Sequence, residues 1–127
     1  MKEKIISNLD YFQYLIVDAL EDVKGQNILV FDTSEKSNFF DRVIIVSGVS
    51  NRQTRALAKS VADKLKKKEG VNCHLEGEDN REWVFVDCGD VICHIMQPMI
   101  REYYNLEEIW GSKSITIKSI KDSFLEK

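Results

Sequence analysis

Residues 83–96 (WVFVDCGDVICHIM) constrain the fold of this chain most strongly, because their pattern predicts a β-hairpin with two unlike faces. Successive side chains of a strand point to opposite faces of the sheet. A two-residue turn at Cys88 and Gly89 is the connection that short hairpins favour. The predicted cross-strand pairs are Trp83 with His94, Phe85 with Ile92 and Asp87 with Asp90.

The two faces of this hairpin differ in composition. One face is predicted to be core: Val84, Val86, Val91, Cys93 and Ile95. The other face mixes aromatic, charged and apolar side chains: Trp83, Phe85, Asp87, Asp90, Ile92, His94 and Met96. Two carboxylates that face each other destabilise a strand pair unless a cation or a hydrogen bond compensates them. The mixed face is a candidate functional surface, although aromatic packing under the last helix and turn capping by the two aspartates explain it equally well.

Length and composition predict one soluble domain. The chain has 127 residues, 43% of them hydrophobic and 31% charged, which suits a single core. No apolar run approaches the roughly 20 residues that span a bilayer. The net charge of -3 favours a basic protein partner over nucleic acid. Three cysteines that cannot all pair, and a start without a signal-peptide pattern, predict a cytoplasmic protein with reduced thiols.

The order of predicted elements indicates an α/β fold with a mixed sheet of about five strands flanked by helices. Helices are predicted at 9–24, from a capping box at Ser50 and Gln53 to Gly70, from Pro98 to about Tyr104, and for one turn at 106–110. Strands are predicted at 27–32, 41–47 and 72–76 besides the hairpin, the first two buried on both faces. Residues 1–111 form the predicted domain, and residues 112–127 are an appendage.

The cysteines and histidines are poorly spaced for a metal site. Cys93 and His94 are neighbours on a strand, so their side chains point to opposite faces. Cys73 and His74 are likewise adjacent, whereas structural zinc sites usually take two ligands from a short knuckle. Reduced cysteines near an unrelated histidine are the simpler interpretation, and no metal or other cofactor is predicted.

Catalytic constellations are equally weak. A nucleophilic triad would need Cys88 beside His94, but these side chains point to opposite faces of the hairpin. A metal-dependent nucleotidyltransferase would need a carboxylate pair on one strand, and a turn separates Asp87 from Asp90. The lone glycine before the second helix is a poor phosphate cradle. No catalytic residue is predicted.

The second helix has a basic exposed side: Arg52, Arg55, Lys59, Lys64, Lys66, Lys67 and Lys68. Such a side can contact RNA phosphates. A solvated helix face is the commoner explanation, so an RNA-binding module stays an alternative beside a nucleotidyltransferase-like enzyme.

The hairpin and the segment after it resemble the ribosomal silencing factor family, also called the Iojap family. The motifs that carry the resemblance are D-x-G-D-V-I-x-H-I-M-Q and R-E-Y-Y-N-L-E-E-I-W-G. Earlier matches include V-I-I-V-S-G and the S-N-R-Q start of the second helix, so that the resemblance covers roughly nine tenths of the chain. Cys88, Cys93 and Pro98 depart modestly from the family pattern, and residues 112–127 fall outside it.

This resemblance implies a protein that binds the large ribosomal subunit, chiefly through its fourteenth protein, where the small subunit would dock. Such factors prevent subunit joining and repress translation when nutrients are short. The family is similar to nucleotidyltransferases in fold and lacks their catalytic apparatus, which implies that this chain is not an enzyme. The free protein is a candidate homodimer, since pairing would cover an apolar binding face.

The family pattern, carried over residue by residue, places the partner surface on the hairpin and its neighbours. The expected contacts are Trp83, Asp87, Gly89, Asp90, His94 and Met96, with Glu78, Tyr103 and Tyr104 at the margin. Trp83 is expected to be the buried anchor, and Asp87 and Asp90 are expected to accept hydrogen bonds from Arg or Lys.

Overall fold

A computed structural model describes residues 8–77 and 82–111 of the chain. Its elements agree with the predicted order. The helices are α1 (Asn8–Asp22), α2 (Asn51–Glu69), α3 (Pro98–Tyr104) and α4 (Glu107–Trp110). The strands are β1 (Gln26–Asp32), β2 (Arg42–Ser47), β3 (His74–Glu76), β4 (Trp83–Asp87) and β5 (Val91–Met96).

The five strands form one mixed sheet in the order β1-β2-β5-β4-β3. The central pair, β2 and β5, is parallel, and its register places Ile44 opposite Cys93. The other three pairs are antiparallel. The prediction of an α/β fold with a mixed five-stranded sheet is therefore confirmed.

Helices cover both faces of this sheet. The stripe of α1 that contains Ile16 and Leu20 and the stripe of α2 that contains Leu57 and Val61 pack on one face, where all four side chains are fully buried. On the other face a smaller cluster around Phe31, Val43, Ile45 and Met96 packs against apolar side chains of α3, α4 and their connection, such as Ile100, Leu106 and Trp110. Within the described part of the chain, every helix is too short or too polar to span a bilayer.

The two early strands differ in burial. β2 lies inside the sheet, and every residue from Val43 to Ser47 is buried, as predicted. β1 lies at the edge, and its first residues, Gln26 and Asn27, are exposed. Val30 and Phe31 are nevertheless buried, in the two clusters on opposite faces of the sheet, so the prediction that β1 is buried on both faces is confirmed only for its second half. A short apolar run does not distinguish an edge strand from a central one.

The capping box of α2 is confirmed. Ser50 Oγ accepts a hydrogen bond from the backbone N–H of Gln53 at 3.1 Å, and Gln53 Oε1 accepts one from the N–H of Val49 at 2.7 Å. The amide Nε2 of Gln53 also donates to the carbonyl of Val23 at 3.0 Å, which ties the end of α1 to the start of α2. Gly70 ends α2 in the left-handed conformation, with φ of 68°.

Two glycines with positive φ provide a matched test of this backbone. Alanine at Gly77 (φ 87°) would place its Cβ 2.2 Å from the Trp83 carbonyl oxygen, whereas at Gly70 nothing lies within 4 Å. We expect Gly70→Ala to lower the free energy of unfolding by about 1 kcal/mol through backbone strain alone. Gly77→Ala should cost about 3 kcal/mol, because strain and a backbone clash combine. Chemical denaturation measures both values, and equal losses would contradict the described packing.

Candidate functional site

The β4–β5 hairpin forms as predicted, but its register differs from the predicted one. The turn residues are Gly89 and Asp90, because the N–H of Cys88 donates to the carbonyl of Val91 at 2.9 Å. Gly89 supplies the positive φ, 89°, at the first turn position. The observed pairs are Trp83 with Met96, Phe85 with His94 and Asp87 with Ile92. The predicted pairs of Trp83 with His94, Phe85 with Ile92 and Asp87 with Asp90 are therefore wrong.

The composition of the two hairpin faces is nevertheless as expected, because the register differs by two residues and an even shift preserves alternation. The predicted core face is confirmed, and it packs with the side chains of α1 and α2: Val84, Val86, Val91, Cys93 and Ile95, joined by Cys88. On the opposite side, Trp83, Phe85, Asp87 and His94 are only partly buried. These four residues are called the hairpin face below.

An aromatic cluster occupies the hairpin face. The indole Nε1 of Trp83 donates to Nδ1 of His94 at 3.1 Å, and the two ring centroids lie 5.9 Å apart. Phe85 lies 5.7 Å from the same imidazole. Tyr104 of α3 packs 4.9 Å from Trp83, and Tyr103 lies edge-on to Tyr104, also at 4.9 Å. The structure thus joins the hairpin face to α3 through Trp83 and Tyr104.

His94 is held in its neutral form. Burial lowers its pKa from the ordinary 6.5 to about 4, because the imidazolium would lose its hydration without gaining a carboxylate partner. Since Nδ1 accepts the hydrogen bond from Trp83, the proton of the neutral ring lies on Nε2. His94 therefore offers a neighbouring molecule an N–H donor and no charge.

The two aspartates of the turn have different roles. Asp87 Oδ1 accepts a hydrogen bond from the N–H of Gly89 at 2.9 Å, which stabilises the turn from within. Asp90 is exposed, and its backbone carbonyl accepts hydrogen bonds from the N–H groups of Asp41 at 2.8 Å and Arg42 at 3.1 Å. In the observed register the carboxylates of Asp87 and Asp90 do not face each other across the strands. The charge repulsion that the predicted register implied is therefore absent from this turn.

Met96 is not available to a partner. Its side chain is fully buried in the cluster beneath α3 and α4, and this excludes the direct contact that the resemblance implied. Glu78, another implied contact, lies outside the described residues. Tyr103 and Tyr104 are 79% and 51% exposed, which leaves both rings accessible.

Two further exposed apolar side chains extend this surface along α3 and α4. Met99 is 81% exposed and Ile109 is 57% exposed. Met99 lies four residues before Tyr103, so both belong to the same side of α3. Sequence reasoning missed Met99 and Ile109, although the spacing of Met99 and Tyr103 was a usable signal. We call Met99, Tyr103, Tyr104 and Ile109 the α3 patch.

A buried arginine anchors the α3 patch to the sheet. Arg101 is 8% exposed, and it donates to Ser47 Oγ at the end of β2 at 2.8 Å and to Glu107 Oε2 of α4 at 3.1 Å. Arg101 therefore joins both short helices to the central strand. This role of Arg101 could not be predicted from the sequence, because an arginine in a short helix is usually exposed.

The basic side of α2 is narrower than predicted. Lys64 turns towards α1, where its ammonium lies 2.6 Å from Asp18 and 3.0 Å from Asp22. These carboxylates raise the pKa of Lys64, with the Asp18 hydrogen bond the largest cause. Arg52, Arg55 and Lys59 line an open depression of about 540 Å³ together with Asn51 and Ala56. This depression lies on the helix that covers the opposite face of the sheet from the hairpin face.

The geometry around the cysteines disfavours the chemical alternatives. Cys93 is fully buried among α1 and α2, and burial raises the pKa of its thiol. His94 points to the other face, as predicted, and Cys88 faces the core as well. Among residues 8–77 and 82–111, no group of three or more His, Cys, Asp or Glu side chains is arranged to hold a metal ion.

Comparisons with known proteins agree with one another. A family model described as "Ribosomal silencing factor during starvation" matches residues 9–126. A ribosomal silencing factor of Chromobacterium violaceum is 46% identical over 99 residues, which cover 78% of this chain and 81% of the relative. The family match extends to residue 126, so the expectation that residues 112–127 fall outside the resemblance is wrong, while the division of the chain at residue 111 stays a prediction.

Similarity extends to a solved structure and to a mitochondrial protein. A crystal structure of a Chromobacterium violaceum protein has a TM-score of 0.80 and 43% identity, covering 87% of this chain and 92% of that one. A mouse protein named "Mitochondrial assembly of ribosomal large subunit protein 1" is 29% identical over 103 residues, which cover 79% of this chain and 45% of the relative.

The partly buried, neutral His94 predicts a pH dependence of stability. The unfolded chain takes up a proton below about pH 6.5, whereas the folded protein resists protonation until about pH 4, so stability is lost as the pH falls through this window. We expect the free energy of unfolding to fall by about 2 kcal/mol between about pH 7 and about pH 5. Urea denaturation at the two pH values measures the difference.

His74, which is exposed on β3, provides the matched control. His74→Gln should retain the loss of stability, and His94→Gln should remove it. An unchanged free energy of unfolding in the natural protein across this range would show that His94 is not held neutral by burial.

Proposed function

Because the chain belongs to the ribosomal silencing factor family, we propose that it binds the large ribosomal subunit through that subunit's fourteenth protein and sterically blocks joining of the small subunit. The result is repression of translation under nutrient limitation. This role requires no chemical step, because a folded protein that occupies the docking surface excludes the other subunit.

One observation carries this proposal: aromatic and apolar side chains of α3 and α4 lie exposed next to the aromatic cluster of the hairpin face. Met99 and Tyr103 are about four-fifths exposed, and the half-exposed ring of Tyr104 packs on Trp83. Aromatic residues and methionine are enriched at protein interfaces, and a monomer gains nothing from leaving such side chains in water. The binding surface proposed here consists of the hairpin face, the α3 patch, Gly89 and Asp90.

The roles within this surface follow from burial and charge. Trp83 and Tyr104 form the aromatic centre, where truncation is expected to cost the most binding energy. Asp90 accepts hydrogen bonds from Arg or Lys side chains of a basic ribosomal protein. Asp87 acts mainly by shaping the turn, since its carboxylate already accepts a hydrogen bond from Gly89. His94 donates through Nε2.

Two secondary proposals concern the α3 patch and the basic side of α2. Free protein forms a homodimer that covers the α3 patch until a ribosomal subunit replaces the second copy. The basic side of α2 makes a minor contact with ribosomal RNA, since Arg52 and Arg55 are exposed. An enzymatic role receives no support from the described residues, because Cys88 and His94 lie on opposite faces.

Subunit joining tests the proposed function. Isolated large subunits are incubated with the protein before small subunits are added, and sedimentation follows the joined particles. We expect joined particles to decrease in proportion to the bound protein. The Asp90→Asn variant should bind large subunits about tenfold more weakly and with a smaller dependence on salt, because it removes one charge from the interface. Its turn should remain intact, since the observed contacts of Asp90 involve its backbone carbonyl.

Glu21→Gln is the matched control. Glu21 is exposed on α1, which packs on the opposite face of the sheet from the hairpin face and is not part of the basic side of α2. This variant should bind and block joining like the natural protein. Joined particles that form as fast with the protein as without it would overturn the proposed function, and equal binding by both variants would remove Asp90 from the interface.

A further inference from the structure

Two of the three cysteines meet at the tip of the hairpin. The sulfur atoms of Cys73 and Cys88 lie 3.4 Å apart. Cys73 comes just before β3, and Cys88 comes just after β4. Both side chains pack against the core between the sheet and the helices α1 and α2, so they approach each other on the same face.

The strand register explains this contact. β3 pairs with β4 so that His74 lies opposite Asp87 and Leu75 lies opposite Val86. Continuing that antiparallel register by one position places Cys73 directly opposite Cys88. Directly opposite residues have Cβ atoms about 4.5–5.5 Å apart, close to the span that a disulfide bridges. Bond formation needs the sulfurs to approach by only about 1.4 Å.

The two thiols differ in access and in acidity. Cys73 is half-buried, whereas Cys88 is buried. The hydrogen bond with Cys88 lowers the pKa of the Cys73 thiol, and the same hydrogen bond, together with burial, raises the pKa of Cys88. Thiolate character and access favour Cys73 as the group that an oxidant meets first. Cys88 is then the neighbouring thiol in position to react with the oxidised sulfur.

We propose that Cys73 and Cys88 form a peroxide-sensitive thiol pair that closes reversibly into a disulfide. The Cys73 thiolate attacks a hydroperoxide, takes one oxygen atom as a sulfenic acid, and releases water or an alcohol once the leaving oxygen is protonated. The Cys88 sulfur then attacks the sulfenic sulfur, the S–S bond forms, and the hydroxyl group leaves as water with the Cys88 proton. Two thiols are thus oxidised and one peroxide bond is reduced.

The position of this pair connects it to the proposed binding surface. Cys88 directly precedes the turn residues Gly89 and Asp90. It also follows Asp87, whose carboxylate accepts the hydrogen bond from the N–H of Gly89. A covalent bond from Cys88 to Cys73 ties that turn to the start of β3. The thiol pair itself stands independently of the proposed ribosomal role, because it rests on the distance and register of the two cysteines.

Peptide mapping of the full chain tests the proposal. The reduced protein is treated with hydrogen peroxide, alkylated, digested without reductant and examined by mass spectrometry. We expect a linked pair of peptides containing Cys73 and Cys88, lighter than the sum of the reduced peptides by two hydrogen atoms, and a free alkylated Cys93 only after unfolding. Dithiothreitol should restore both thiols.

Two variants sharpen this test. Cys73→Ser, at the half-buried position, should abolish the linked peptides and slow thiol loss at least about tenfold, because Cys88 is shielded and weakly acidic. Cys93→Ala should leave the linkage unchanged. The proposal is wrong if peroxide converts Cys73 to higher oxides without a link to Cys88, or if Cys93 is consumed first. The map of the natural chain decides even if a variant fails to fold.

Discussion

The pairing of β4 with β5 is the constraint on which the rest of this structure depends. With Asp87 opposite Ile92, the side chains of Val84 and Val86 in β4 enter the core beneath α1 and α2. The odd-numbered side chains face the other way, and Trp83 among them packs against Tyr104 of α3. A slip by one residue would reverse these assignments and bury Trp83 and Phe85 under the wrong layer. Gly89 and the Asp87 carboxylate hold this register at the turn.

The sheet gives the accessible surface a rigid base. β5 pairs in parallel with β2 on one side and with β4 on the other, so the strand that carries His94 is held at both edges. Arg101 fixes the short helices that the sequence alone would leave marginal, because it bonds to β2 and α4 at once. The exposed aromatic side chains thus project from a fixed base, which limits the ordering cost of binding.

The elements of the fold were largely predictable, because periodicity and capping chemistry act locally. The capping box of Ser50 and Gln53 predicted the start of α2, and Gly70 predicted its end. The alternation of side chains in the hairpin predicted which of them are core and which face the other way. The exact hairpin register was not predictable, since two-residue turns at neighbouring positions preserve the same alternation. Burial of Met96 was also hidden from the sequence, because it depends on where α3 and α4 pack.

Contacts between distant residues account for the remaining surprises. The hydrogen bond from Arg101 to Ser47 and the contact between the Cys73 and Cys88 sulfurs form only in the assembled sheet. No local sequence pattern predicts them. The family resemblance identified most residues of the candidate surface. The structure adds the exposed side chains of Met99 and Ile109 to it and removes Met96, which is fully buried.

Hydroxyl-radical footprinting of the protein bound to isolated large subunits tests the central claim most directly. Met99 and Tyr103 are exposed in the free protein and belong to residue types that radicals oxidise readily. Binding through the α3 patch and the hairpin face predicts that both side chains lose most of their reactivity in the complex. If both keep their full reactivity while the protein remains bound, the large subunit contacts another face and the proposed surface is wrong.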